Sequence, residues 1–169
     1  MRRSQCIDKR LHRQRGVVVI WFALLMPVLF GGFALLAIDL VRLNLTRIEA
    51  QNAADAAALA GARQFAMSNK VSVAKAYALS FARRNYANGA KVMNPIIETG
   101  FWDLSDPAAT WHTTKIGTEA SAVRVTVDLG SSFHYFFGSI LGIADPNVQA
   151  SAIAAQQSSA ASDHAILVQ

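Results

Sequence analysis

The longest feature of the chain is an apolar block, Val17 to Ile38, in which no residue carries a charge. At about 1.5 Å of rise per residue, a helix over this block spans roughly 30 Å, the thickness of a bilayer's hydrocarbon core. The block therefore reads as one transmembrane helix. Pro27 and the pair Gly31-Gly32 fall inside it. A proline there removes a backbone hydrogen bond and favours a kink, which membrane helices tolerate. Ala23, Pro27 and Gly31 recur every four residues and form a small-residue face.

From Asp39 the pattern stays helical. Asp39, Arg42, Arg47, Glu49 and Asp55 alternate with Leu and Ala, and neither glycine nor proline intervenes before Gly61. The span is thus expected to continue into one long helix ending near Met67, with Ser68-Asn69 as the break. Ala53, Ala57 and Gly61 repeat at intervals of four, as do Ala54 and Ala58 with Ala62. Such small side chains let another helix approach closely, although alanine's high helix propensity alone also accounts for them. A second helix is predicted over Val71 to Tyr86, with Val71, Ala74, Ala78, Phe81 and Ala82 on one face. Asn88-Gly89 supplies the residues favoured at a left-handed helix cap.

Past residue 90 the character turns to β. Ile96 to Asp103 reads as a strand and Asp106-Pro107 as a turn. Val123, Val125 and Val127 alternate with Arg124 and Thr126, the clearest period-two strand in the chain. Ser132 to Leu141 is aromatic and reads as a short helix or loop stopped by Gly142. Asn147 to Ala155 alternates again, Gln156 to Ser162 forms a small polar linker, and Ala165 to Val168 adds an edge strand. The fold class is α+β. Residues 1–16 form a tail, 17–38 the membrane helix, 39–90 an exported helical hairpin and 91–169 a small antiparallel β-rich unit.

Charge fixes the expected orientation. Of the formal net charge of +5, all sits in residues 1–16, where Arg2, Arg3, Lys9, Arg10, Arg13 and Arg15 face only Asp8. The remainder is balanced. A basic tail abutting an apolar span is retained on the cytoplasmic side, which makes Arg10, Arg13 and Arg15 the orienting residues and anionic headgroups the tail's partner. Nucleic-acid binding is excluded by the lack of any basic, aromatic-interleaved patch after residue 16. A cleaved signal peptide is the competing reading. Its apolar core would be shorter, about 7–15 residues, and Ala34-Leu35-Leu36-Ala37 lacks the spacing of a cleavage site. Release by such a cleavage would instead give a secreted or surface adhesin-like module.

Candidate chemistry is sparse. The single cysteine, Cys6, lies in the tail, so the exported part can form no internal disulfide. His12, His112, His134 and His164 are scattered without metal-ligand spacing, and no nucleophile elbow, P-loop or dinucleotide fingerprint occurs. Asp103 and Asp106 flank a turn, where Asp is common for backbone reasons. Asn44-Leu45-Thr46 is a formal sequon on the juxtamembrane helix. No catalytic residue, metal site or cofactor is expected. Trp102, Trp111, Phe133, Tyr135, Phe136 and Phe137 concentrate the aromatic surface outside the span. In so small a domain they are expected in the core, with a docking surface as the alternative.

Several segments together resemble one family. They are Arg15-Gly16, Phe22 to Pro27, Ile38-Asp39-Leu40, and above all Gln51-Asn52-Ala53-Ala54-Asp55-Ala56-Ala57-Ala58-Leu59-Ala60-Gly61-Ala62. The chain resembles the N-terminal module of TadG-like (TadE/TadG) proteins of the tight-adherence, or Flp, pilus assembly system. Gly100 to Asp103, the strand Ala122 to Val127, and the Phe-Phe-Gly and Leu-Gly-Ile runs before Ala150-Ser151-Ala152 also look like the family. The resemblance implies a non-enzymatic accessory of pilus assembly in the bacterial inner membrane. Its N-terminus would be cytoplasmic and its C-terminal domain periplasmic. Implied partners are the bilayer, other membrane or periplasmic assembly proteins, and a second copy of the chain. Related pilin-like members carry a Glu five residues after the glycine that precedes the apolar run. Trp21 holds that place here, which argues against processing as a pilin. The D-x-S-x-S metal motif of longer members is also missing, so no metal site carries over.

Overall fold

A computed structural model describes residues 8–103, 111–115, 119–156 and 165–168. The elements run α1 (Asp8–Ser68), α2 (Val71–Ala82), β1 (Tyr86–Ala87), β2 (Ala90–Lys91), β3 (Ile96–Trp102), β4 (Ala120–Asp128), a short 3₁₀ turn (Gly138–Leu141), β5 (Gln149–Gln156) and β6 (Ala165–Val168). Strands β1 and β2 pair as a small hairpin; β3-β4-β5-β6 form an antiparallel sheet in that order. The class is α+β, with the long helix first. The Asp106-Pro107 turn and nearly all of the Gln156–Ser162 linker lie outside the described residues.

Helix α1 has 61 residues, about 90 Å of continuous helix, and runs unbroken through Pro27. It has two halves with different surroundings. From Gly16 to Ile38 most side chains are exposed, and no other element is long and apolar enough to cross a membrane among the described residues. From Asp39 onward one stripe is buried: Asp39, Leu43, Thr46, Ala50, Ala53, Ala54, Ala57, Ala58, Gly61, Ala62 and Phe65. The steps of three and four keep the stripe on one face of a helix with 3.6 residues per turn. It is sandwiched between α2 and the sheet, where α1 meets both β4 and β5.

Alanine and glycine make this sandwich possible. Helix α2 presents Ala74, Ala78 and Ala82, all fully buried, while β4 and β5 present Val123, Val125, Val127, Ala150, Ala152 and Ala154. At Gly61 the fit is tightest. A Cβ there would sit 3.0 Å from the Ala78 Cβ, 3.1 Å from Val123 Cγ1 and 3.4 Å from the Ala74 carbonyl oxygen. Helix, helix and strand therefore converge on a position that has no side chain. On the sheet's other face Ala120, Ala122 and Ala155 pack with Trp102, Trp111 and Ile153. Trp111 lies against Gly100, where a Cβ would come within 2.7 Å of its ring.

Three expectations are corrected. Helix α2 stops at Ala82, four residues short of Tyr86, and Asn88-Gly89 forms the turn of the β1–β2 hairpin instead of capping it. Both residues have positive φ, +53° and +74°, which a two-residue hairpin turn of the right twist demands. The buried face of α2 is also narrower than its apolar pattern, since Val71 is 45% and Phe81 36% exposed while only the alanines are buried. Finally, the aromatic concentration divides: Phe133 is fully buried, but Phe136 is 63% exposed.

Overpacking a well-filled contact costs about 1–3 kcal/mol. Gly61→Leu and Ala57→Leu are expected to destabilise the detergent-solubilised protein by about that much, whereas Asn52→Leu on the exposed side of α1 leaves it nearly unchanged. Thermal melts of the three variants check this. Equal melting of Gly61→Leu and Asn52→Leu would remove the sandwich argument.

Candidate functional site

The polar groups of α1 converge on the backbone of segments far away in sequence. Gln51 donates through Nε2 to the Ser151 carbonyl at 3.3 Å and to Asp55 Oδ1 at 2.8 Å. Glu49 Oε2 accepts the Asn88 N–H at 2.9 Å, and Asn88 Nδ2 in turn donates to the Ser132 carbonyl at 2.8 Å. Arg42 Nη1 donates to the His134 carbonyl at 3.3 Å. Descending α1 towards its apolar half, the helix thus grips first the start of β5, then the hairpin turn, then the β4–β5 connection.

Asp39 ends this series. Its carboxylate is 1% exposed and accepts three backbone N–H groups. Phe136 donates to Oδ1 at 3.0 Å; Phe137 and Gly138 donate to Oδ2 at 2.8 Å each. Arg42 Nη1 lies 3.9 Å from Oδ1, one turn up the helix. The carboxylate satisfies the N–H groups at the opening of the Gly138–Leu141 turn as an N-terminal cap does, the Gly138 N–H among them being buried. Burial acts to raise the Asp39 pKa. The N–H groups of Gly138, Phe136 and Phe137, with the Arg42 charge, outweigh it, and the carboxyl titrates below the usual range.

The rest of the connection is fixed around this point. The Arg42 guanidinium sits 4.0 Å from the Phe136 ring centroid and 5.4 Å from that of Phe133, a cation–π arrangement on two rings. Phe133 packs edge-on to Tyr135, at 5.4 Å, and fills a small core with Leu43 and Val148. Asp145 accepts from the Tyr135 N–H at 3.0 Å and pairs with His134 Nδ1 at 2.6 Å. The His134 hydrogen bond, with that N–H, holds the Asp145 pKa below its ordinary value. Gly142, in the left-handed conformation at φ +72°, closes the 3₁₀ turn. These contacts form a clasp that positions the β4–β5 connection against α1.

The residues singled out by sequence stand elsewhere. Ala53, Ala54, Ala57 and Ala58 are fully buried inside the chain, and Gly61, one turn further along α1, lies against Ala74 and Ala78 of α2. Arg10, Arg13 and Arg15 lie in the first turns of α1. His134 belongs to the clasp, and His112 lies 3.6 Å from Glu119. Cys6 and His164 lie outside the described residues. Among the described residues no three His, Cys, Asp or Glu side chains are grouped to hold a metal ion. Asp39 was legible as the first charge beyond the apolar block and within the family-like Ile38-Asp39-Leu40 segment, but not as a backbone cap; its partners are 97 to 99 residues away.

Comparison with known families decides the membership. Residues 16–64 match the family model described as Flp pilus-assembly TadE/G-like, and residues 44–154 match that described as Tad-like Flp pilus-assembly. The chain belongs to the Tad-like Flp pilus-assembly family. It therefore takes part in tight-adherence pilus assembly. No curated protein and no solved structure matches it significantly. The two sides of the clasp fall in different matched stretches: Asp39 in the first and the 136–138 backbone in the second.

The pH dependence of the clasp follows from the depressed Asp39 pKa. Its contribution is complete above the unfolded-chain value near 3.8 and is lost as pH falls through the lower folded value. Asp39→Asn is expected to melt below the wild type at pH 7, because its amide N–H₂ faces N–H donors, and the gap should begin to narrow as pH falls below 3.8 towards the lower folded value. Melts from pH 7 to pH 3 check this. A gap that stays constant over the range would contradict it.

Proposed function

We propose that this Tad-like protein is a single-pass, non-enzymatic accessory of Flp pilus assembly, anchored in the bacterial inner membrane. Its basic N-terminal tail lies in the cytoplasm and the domain from Asp39 onward in the periplasm, where it presents an interaction surface to other assembly components. The observation that carries this reading is the continuity of α1. One helix runs without a break from an uncharged, exposed half into a half whose buried stripe organises the entire domain. A domain built on the end of its own anchor is held at a set height above the bilayer, as a scaffold component requires. The concentration of Arg10, Arg13 and Arg15 before the apolar half supports the orientation. The scattered histidines and the use of the buried carboxylate as a backbone cap support a structural role over catalysis.

The expected topology is tested by fusing a periplasm-active reporter after Gln169. Activity is expected, and replacing Arg10, Arg13 and Arg15 by Asn should reduce it. Activity solely from a cytoplasmic reporter would reverse the orientation. The same preparations give the mature N-terminus by mass spectrometry. An intact start is expected; a start at Val17, or one beyond the apolar half, would replace the anchored accessory with a processed pilin or a released module.

A further inference from the structure

The connection clasped by Asp39 carries more apolar surface than its fold requires. Between Tyr135 and Asp145 no residue is charged. Within this stretch Phe136 is 63%, Ile140 78%, Leu141 64% and Ile143 46% exposed. Four large exposed apolar side chains thus fall within eight residues of one connection, a surface that water disfavours and an apolar phase or interface accepts.

The position of the loop says which phase. The connection descends α1 in order. Ser151 is held at Gln51, the Phe133 ring beside Leu43, the His134 carbonyl at Arg42, and the 136–138 backbone at Asp39. From Gln51 to Asp39 this is about 18 Å of descent along the helix axis towards the apolar half. The cover continues below Asp39. Leu35 and Leu36, one turn lower on the same face, are half-buried, while Phe33, Ala34 and Ile38 on the other faces are exposed. Around the level of Asp39 the remaining helix surface is also apolar, with Ile38, Leu40 and Val41 all exposed. The loop tip is therefore continuous with the apolar surface of the helix where that helix leaves its uncharged stretch.

We propose that the loop Phe136–Ile143 is a second membrane contact, dipping into the outer boundary of the same bilayer that α1 crosses. The proposal rests on the anchored reading of α1. It gives the chain two attachments, a spanning helix and an interfacial loop, with Asp39 joining them. One helix alone leaves the domain free to tilt and to rotate about the helix axis. A loop seated at the headgroup–acyl boundary, typically about 5–10 Å deep, fixes both and presents one defined side of the sheet to partners. Asp39 and Arg42 can lie at this level because their charges are already matched, by three N–H groups and by two aromatic rings.

The test uses the full chain with Cys6→Ser, reconstituted in phosphatidylethanolamine–phosphatidylglycerol vesicles. Single spin-labelled cysteines are placed at Leu29, Ile140, Ile143 and Lys75. Oxygen partitions into lipid and a nickel chelate into water, so the ratio of their relaxation effects reports depth. Leu29 should read as deep lipid, Lys75 on α2 as water, and both Ile140 and Ile143 as shallow lipid, with nickel accessibility several-fold below that of Lys75. Circular dichroism melts confirm that each labelled chain is folded. If Leu29 reads lipid but both loop positions read as Lys75 does, the loop proposal fails and the anchor stands. If Leu29 itself reads water, the anchored reading fails, and the loop proposal with it. Dipolar broadening at Ile140 or Ile143, absent after dilution with unlabelled protein, would assign the loop to a second copy of the chain and overturn the lipid contact.

Discussion

The attachment of the β4–β5 connection to α1 rests on one buried carboxylate. A helix emerging from an uncharged stretch needs a point where its packing against the rest of the chain begins, and Asp39 is that point. It is the first charged residue after the apolar block and the first buried position of the stripe that continues through Leu43, Thr46 and Ala50. Burying a carboxylate is unfavourable unless its lone pairs are met. Here Phe136, Phe137 and Gly138 meet them with backbone N–H groups, which themselves need an acceptor. Each side of the clasp would be destabilising alone, so the two segments specify one another across nearly the whole domain.

Above the clasp the same helix changes its mode of attachment from polar to steric. Glu49 and Gln51 still take backbone partners, but from Ala53 onward the fit depends on side chains being small. Gly61 lets α1 lie against α2 and β4 at once, and the valines of β4 fill the space left by the alanines. Ala-rich helices are often read as spacers or as surfaces awaiting a partner. In this Tad-like chain the alanine stripe is consumed by the protein's own second helix and sheet. Surfaces that remain for assembly partners are accordingly the outer faces of the domain and the exposed apolar loop held by Asp39.

Much of this was visible in the residue pattern. The uncharged block and the alternation of Val123, Val125 and Val127 gave the long helix and the central strand, because period is a local property, while the four-residue steps of Ala53, Ala57 and Gly61 fitted close packing and plain helix propensity alike. The Asn88-Gly89 turn was misread because a residue pair tolerant of positive φ suits both a helix cap and a two-residue hairpin; the short strands flanking it, Tyr86–Ala87 and Ala90–Lys91, carry almost no pattern. The clasp was hidden for a deeper reason. Backbone N–H groups have no sequence signature, and those of 136–138 lie 97 to 99 residues from Asp39 along the chain. A further signal was that Asp39 heads the row Leu43, Thr46, Ala50, so that an acidic side chain begins a face otherwise built to be buried. The division of the aromatics likewise depends on which side of the loop faces α1, which composition does not encode.

The central claim is that the β4–β5 connection is locked to α1 by its own backbone N–H groups. Amide hydrogen exchange of the full chain in detergent micelles measures this directly. The amides of Phe136, Phe137 and Gly138 should exchange as slowly as those of β4, and Asp39→Asn should release all three while leaving Val123 and Val125 protected. Exchange of the three amides at the rate of an open loop in the wild type would contradict the account.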